Sequence, residues 1–182
     1  MDIELKKPIV LVGMMGAGKT AIGKALARRL DVPFRDSDAA LEEAASMSIA
    51  EIFARDGEAF FRDREAEVLA RLLGEGAQVL STGGGAFLAE RNREAIRRAG
   101  VSVWLKADLD LLWERVRHKD TRPLLRTPDP RATLAEIFAA RTPVYALADL
   151  AVEAAPGLSI ADMTEKVVAA LAARPDVLGG KT

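Results

Sequence analysis

The clearest chemistry in the chain is carried by Gly13-Met14-Met15-Gly16-Ala17-Gly18-Lys19-Thr20, a full match to G-x-x-x-x-G-K-[ST] directly after the apolar run Ile9-Val10-Leu11-Val12. A strand feeding a glycine-rich turn that opens into a helix aims several backbone N–H groups and the positive helix end at one point. That is a polyphosphate cradle. Lys19 is placed to reach the outer phosphates and the Thr20 hydroxyl to sit on Mg²⁺. Gly13, Gly16, Ala17, Gly18, Lys19, Thr20 and Ala21 are therefore the expected nucleotide-contacting positions, and helical spacing continues through Ala21, Ile22, Ala25, Leu26 and Leu30.

Other candidates stand at the ends of further apolar runs. Val32 to Asp36 reads as a short strand, and Asp36 and Asp38 fall at its carboxyl end, the rim of an open α/β sheet where ligands gather. Gln78 to Ser81 is another strand and runs into Thr82-Gly83-Gly84-Gly85. Three adjacent glycines let a backbone approach a ligand closely or take positive φ, at an entropic cost that packing alone does not repay.

The remaining segments position these groups. Ala39 to Ala45 is helical in composition, Ser48-x-x-Glu51 opens a turn that Gly57 can terminate, and Glu58 to Leu73 keeps a helical beat. Leu88 to Ala99 is a helix closed by Gly100, Val101 to Leu105 a strand, and Leu109 to Arg117 a helix. The proline- and arginine-rich stretch 118–131 reads as a mobile loop. Thr133 to Ala140 is helical, Thr142-Pro143 is expected to break it, Leu150 to Val152 is a last strand, and Ser159 to Ala173 the closing helix. The expectation is one α/β domain over 1–175, with a disordered tail over 176–182.

Composition narrows the classes. Among 182 residues, 26 basic side chains balance 27 acidic ones, so no global field draws nucleic acid or an anionic membrane. The cluster Arg91, Arg93, Arg97 and Arg98 reads as a solvated helix face. With no cysteine there is no disulfide, thiolate metal site or cysteine nucleophile. No apolar run approaches the roughly 18 residues of a membrane span. A cytoplasmic protein acting on small molecules is expected.

A GTPase switch requires N-K-x-D, which is absent, and the only D-x-x-G is Asp176 to Gly179 in the tail. A mechanical ATPase places its Mg²⁺-holding acid at the end of a hydrophobic strand beside the loop. Neither Val79-Leu80-Ser81 nor Val101 to Leu105 ends in an acid, so Asp36 is the better metal-side candidate.

A small-molecule kinase remains, and here the match is specific. The loop GMMGAGKT, Asp36-Ser37-Asp38, Ser48 to Phe53, Gly57 to Arg62 with Glu65, Gly83-Gly84-Gly85, Arg122-Pro123-Leu124-Leu125 and Arg141-Thr142-Pro143-x-Tyr145 occur in an order and spacing that resembles the shikimate kinase family along nearly all of residues 8–170. The resemblance implies a three-layer α/β/α P-loop kinase fold of the nucleoside-monophosphate-kinase type. Its parallel sheet has five strands in the order 2-3-1-4-5, with a substrate-binding helical region near 37–65 and a lid near 118–131.

The implied reaction is phosphorylation of the 3-hydroxyl of shikimate by ATP with Mg²⁺, by a monomer. Arg62 and Arg141 match the family's carboxylate-binding arginines, a role suited to guanidinium forks. Asp38 matches the residue that binds the reacting hydroxyl, Asp36 the acid that supports Mg²⁺ beside Thr20, and Gly83 to Gly85 the substrate-side backbone donors. Glu65 matches a residue that orients an active-site arginine, and Arg122 the lid residue that meets the transferring phosphoryl group. Arg117 matches an adenine-stacking position, where Arg115 aligns instead when one gap is moved.

Plainer roles stand beside these. Arg62 can pair with Glu58 at i,i+4, Asp38 can cap the helix beginning at Ala39, and the glycine triplet can be a flexible loop. A related kinase for another polyol acid, such as gluconate, and a catalytically silent nucleotide-binding domain are the competing functions.

Overall fold

A computed structural model describes residues 3–118 and 125–180. After a short strand β1 (Ile3–Leu5), the chain enters the first of five strands that form one sheet: β2 (Ile9–Val12), β3 (Phe34–Asp36), β4 (Val79–Ser81), β5 (Val101–Lys106) and β6 (Leu150–Glu153). All four pairings in it are parallel, and the order is β3-β4-β2-β5-β6. Counted along the chain, that is the expected 2-3-1-4-5. Ile9, Val10, Leu11 and Val12 are entirely buried, because the middle strand of a parallel sheet is covered on both faces.

Helices α1 (Lys19–Leu30), α2 (Ser37–Ala45), α3 (Ile49–Leu73), α4 (Glu90–Ala99), α5 (Leu109–Val116), α6 (Pro130–Tyr145) and α7 (Ile160–Leu171) connect and flank the strands. Topology decides what lies beside what. Because β4 sits between β3 and β2, the turn after β4 emerges between Asp36 and the phosphate loop. A hydroxyl bond strengthens that seam, since Thr82 Oγ1 donates to the Leu11 carbonyl at 3.1 Å.

Gly57 interrupts α3 with φ +85° and ψ 173°, the break expected there, although the helix resumes at once and forms one kinked element. Two expectations fail. Pro143 does not break α6, which runs on to Tyr145. A proline this close to a helix end forfeits one ladder bond, and the C-terminal side of the helix has only one further turn to lose. The tail is also ordered as far as it is described: β7 (Leu178–Gly180) pairs antiparallel with β1. Val177 and Leu178 are buried beneath that ribbon, while Asp176 bonds Arg174 at 2.9 Å and Lys7 at 3.4 Å. Among the described residues, no helix is long and apolar enough to cross a membrane.

The ribbon yields a stability test. Deleting residues 177–182 should lower the unfolding free energy by about 2–4 kcal/mol, the worth of burying one valine and one leucine less what the freed chain recovers. Urea denaturation measures it, and a loss under about 0.5 kcal/mol would show that the terminal strands add nothing.

Candidate active site

The donor half is built by backbone conformation. Gly13, Gly16 and Gly18 hold φ at +148°, +84° and +94°, in the region that side chains avoid, so the loop can turn tightly ahead of α1. Gly18 is the N-cap of α1. Gly13 and Ala17 form the buried floor, and Thr20 and Ala21 are exposed at the helix mouth. Lys19 folds back across the loop, its Nζ donating to the Gly13 carbonyl at 2.5 Å. From α5, Arg115 Nη1 donates to the Gly16 carbonyl at 3.1 Å and lines the cleft. Arg117 points away, engaged with His118 at 3.1 Å and Glu114 at 3.6 Å. Of the two arginines weighed for the adenine position, Arg115 stands at the phosphate loop and Arg117 does not. Arg122 lies outside the described residues.

The acceptor half is built by close approach. None of the triplet glycines has positive φ; what each supplies is the absence of a Cβ. At Gly83 a Cβ would collide with both carboxylate oxygens of Asp38, at Gly84 it would lie 2.9 Å from Arg141 Nη1, and at Gly85 3.1 Å from Arg62 Nη1. Three neighbouring residues thus face three charged side chains from α2, α6 and α3. Two backbone groups in the turn are already engaged, because the Gly83 N–H donates to Ser37 Oγ at 3.2 Å and the Gly84 carbonyl accepts from Tyr145 at 2.9 Å. Ser37 and Tyr145 lie inside the matched motifs, but their residue types alone do not mark them as groups that hold the turn.

Asp36, not Asp38, caps α2, accepting from the Ala39 N–H at 3.0 Å. Asp38 therefore falls in the first turn, facing the glycines. Arg62 makes the i,i+4 pair with Glu58, Nε and Nη2 donating to Glu58 Oε1 at 3.2 and 3.0 Å, and its Nη1 lies 3.7 Å from Glu65. Phe53 and Phe61, with ring centroids 4.6 Å apart, add an apolar wall. Lys19, Thr20, Asp36, Asp38, Arg62, the three glycines and Arg141 line one cleft of about 1320 Å³, to which Leu158, Ile160 and Met163 add apolar surface.

Electrostatics sharpen the acceptor half. Burial pushes the Asp38 carboxyl up to about 6, and Asp36 acts in the same direction while Lys19 opposes it. Glu65, only 4 % exposed, is pushed up to about 7 by burial against the opposing pull of Arg62. Its Oε1 accepts no hydrogen bond among the described residues. The arrangement offers a polyphosphate cradle, an acid of near-neutral pKa able to take a proton, and two guanidinium groups for an anion. Between them lies room for a small molecule.

Many known proteins resemble the chain in sequence and in fold. The family model described as shikimate kinase matches residues 15–172. A shikimate kinase of Cereibacter sphaeroides is 67 % identical over 175 residues, covering 96 % of this chain and 87 % of that protein. One of Ruegeria pomeroyi is 67 % identical over 174 residues, covering 96 % and 89 %. Among solved structures, the shikimate kinase of Acinetobacter baumannii in complex with shikimate superposes with a TM-score of 0.84 at 36 % identity, over 92 % of this chain and 93 % of that one. A gluconokinase of Sinorhizobium meliloti, with a TM-score of 0.61 at 19 % identity over 93 % and 94 % of the two chains, shares the fold alone. Since the family model takes in both halves of the cleft apart from the first residues of its loop, and two thirds of the residues recur in relatives matched almost end to end, the chain belongs to the shikimate kinase family.

Proposed function

We propose that the chain transfers the γ-phosphoryl group of ATP to the 3-hydroxyl of shikimate. The observation that carries this is the convergence of Asp38, Arg141 and Arg62 on Gly83, Gly84 and Gly85, at the end of the strand that pairs with the one feeding the phosphate loop. Shikimate is a carboxylate bearing three hydroxyls on a carbon ring, and the cleft offers a matching feature for each part. Arg62 and Arg141 bind the carboxylate, Asp38 takes the reacting hydroxyl, and the Phe53–Phe61 wall meets the ring.

The hydroxyl oxygen attacks the γ-phosphorus as the bond to the β–γ bridging oxygen breaks, ADP leaves, and the hydroxyl proton passes to Asp38. Phosphoryl transfer has a loose transition state, so placement of the acceptor in line carries much of the rate. Lys19 and the N–H groups from Gly13 to Ala21 hold the donor phosphates. Arg115 takes the adenine side in place of Arg117. Arg122 is assigned, on its motif, to the transferring group.

The oxygen donors fit a magnesium ion. Thr20 supplies a hydroxyl and Asp36 a carboxylate on the same cleft, and the described residues contain no group of three or more acidic, histidine or cysteine side chains that could hold a metal. That suits a cation that keeps its waters and binds mainly through phosphates. When bound it neutralises charge on the phosphates. The near balance of 26 basic and 27 acidic residues supports a protein acting on small molecules rather than on nucleic acid or a membrane surface, and we assign it to the cytoplasm as a monomer.

With folded protein and Mg²⁺, ADP release from ATP should rise by more than about 100-fold on adding shikimate, and far less with gluconate. No stimulation by shikimate would refute the assignment, and preference for gluconate would move it to the related kinase.

Asp38→Asn should lower kcat by about 10²–10⁴-fold and leave ATP affinity within about twofold; parallel loss of ATP binding would place Asp38 in the donor half. In the unaltered enzyme, kcat/KM should fall as pH drops through about 6, because protonated Asp38 cannot accept the hydroxyl proton. Stability moves the other way. A raised folded-state pKa gives a contribution present below about 4 and lost as pH rises through about 6, so Asp38→Asn should raise Tm at pH above about 7. A lower Tm there would contradict the burial cost.

Arg141→Ala should raise the shikimate KM by about 10–100-fold with the ATP KM little changed. An unaltered shikimate KM would remove Arg141 from the carboxylate site.

A further inference from the structure

One buried polar group beside the glycine turn has no task in the reaction just described: the hydroxyl of Tyr145. It ends α6, is 1 % exposed, and donates to the Gly84 carbonyl at 2.9 Å. Arg141 precedes it by four residues, which on a helix sets the two side chains on one face, a turn apart. Gly84 is consequently held from two directions by the same helical turn. The Arg141 guanidinium stands against its α-carbon, where a Cβ would be 2.9 Å from Nη1, and the phenol binds its carbonyl. Burial raises the phenol pKa, and the charge and hydrogen bonding of the neighbouring Arg141 act against that rise.

The ring is anchored on the donor side. It lies 6.2 Å from the Trp104 ring, centroid to centroid, and Trp104 is the sheet partner of Val12, the last residue before the phosphate loop. A phenylalanine would fill the same space and keep that contact. What it would lose is the hydroxyl's bond to the glycine turn.

We propose that Tyr145 is a positioning residue. Its hydrogen bond to Gly84 sets the spacing between α6 and the glycine turn, and so presents the Arg141 guanidinium where the acceptor carboxylate is met. Without the bond the Gly84 carbonyl loses its buried partner, the turn and the helix separate slightly, and Arg141 loses its register. Small displacements of this kind reduce binding of the oriented substrate more than they reduce the stability of the fold. The inference rests on the shikimate kinase function proposed above.

The test is Tyr145→Phe in the full-length enzyme, with steady-state kinetics for both substrates, shikimate binding by calorimetry and Tm. The shikimate KM and Kd should rise about five- to twentyfold while kcat and the ATP KM stay within about twofold. Repeated on an Arg141→Lys background, the same substitution should add less than about twofold, because the two side chains act as one unit. A lowered Tm with unchanged shikimate affinity would mean that the hydroxyl serves stability only, and would overturn the proposal. So would an equal effect in both backgrounds, or a parallel rise in the ATP KM. If the unaltered enzyme showed no shikimate-dependent turnover, the functional assignment itself would fail; an active enzyme indifferent to Tyr145→Phe defeats this inference alone.

Discussion

The acceptor half of the cleft depends on close approach between main chain and charge, made possible by three successive residues that have no side chain. Gly83, Gly84 and Gly85 emerge from β4, and the sheet order sets β4 between the strand ending in Asp36 and the strand feeding the phosphate loop. The turn is therefore central by topology before any chemistry is considered. A methyl group at any of its three positions would press on a different functional side chain, on Asp38, Arg141 or Arg62. The three charges can share one small volume because the backbone leaves it to them.

That concentration of charge opposes folding. Asp38 and Glu65 both carry raised pKa values because burial strips water from their carboxylates, and only partial compensation comes from Lys19 and Arg62. The opposing stability comes from elsewhere in the molecule. Ile9 to Val12 and most of β5 are buried among the core side chains of the flanking helices, and the terminal ribbon adds Val177 and Leu178. The buried charges and the stabilising core are thus drawn from different residues, and the Asp38 carboxyl is pushed up to about 6, a range that suits the proton-accepting role proposed for it. Arg62 is already paired with Glu58 and Glu65, so in the proposed complex it would exchange part of that contact for the substrate carboxylate.

Much of this was legible in the residues. The phosphate loop declares its own backbone, since glycines at fixed spacing permit the positive φ values it needs, and the alternation of strands and helices constrains the sheet to few topologies. Gly57 announced its kink for the same conformational reason. What remained hidden was tertiary. Arg115 and Arg117 differ by about 200° around a helix, so only one can face the loop, but local spacing does not say which. Pro143 looked like a terminator and was tolerated because the helix had little left to run. The tail looked disordered because its partner strand lies at the other end of the chain. Asp36 took the capping role because its oxygen reaches Ala39, which released Asp38 to face the glycines. Ser37 and Tyr145 carry no signal of their own, and their hydrogen bonds to the turn exist only once the sheet and α6 have met.

The most direct test of the account is a crystal structure of the protein with shikimate and ADP. The account predicts the shikimate carboxylate on the guanidinium groups of Arg62 and Arg141, its 3-hydroxyl within hydrogen-bond distance of Asp38, and the ring lying against the turn of Gly83 to Gly85. A carboxylate bound away from both arginines, or a 3-hydroxyl out of reach of Asp38, would contradict it.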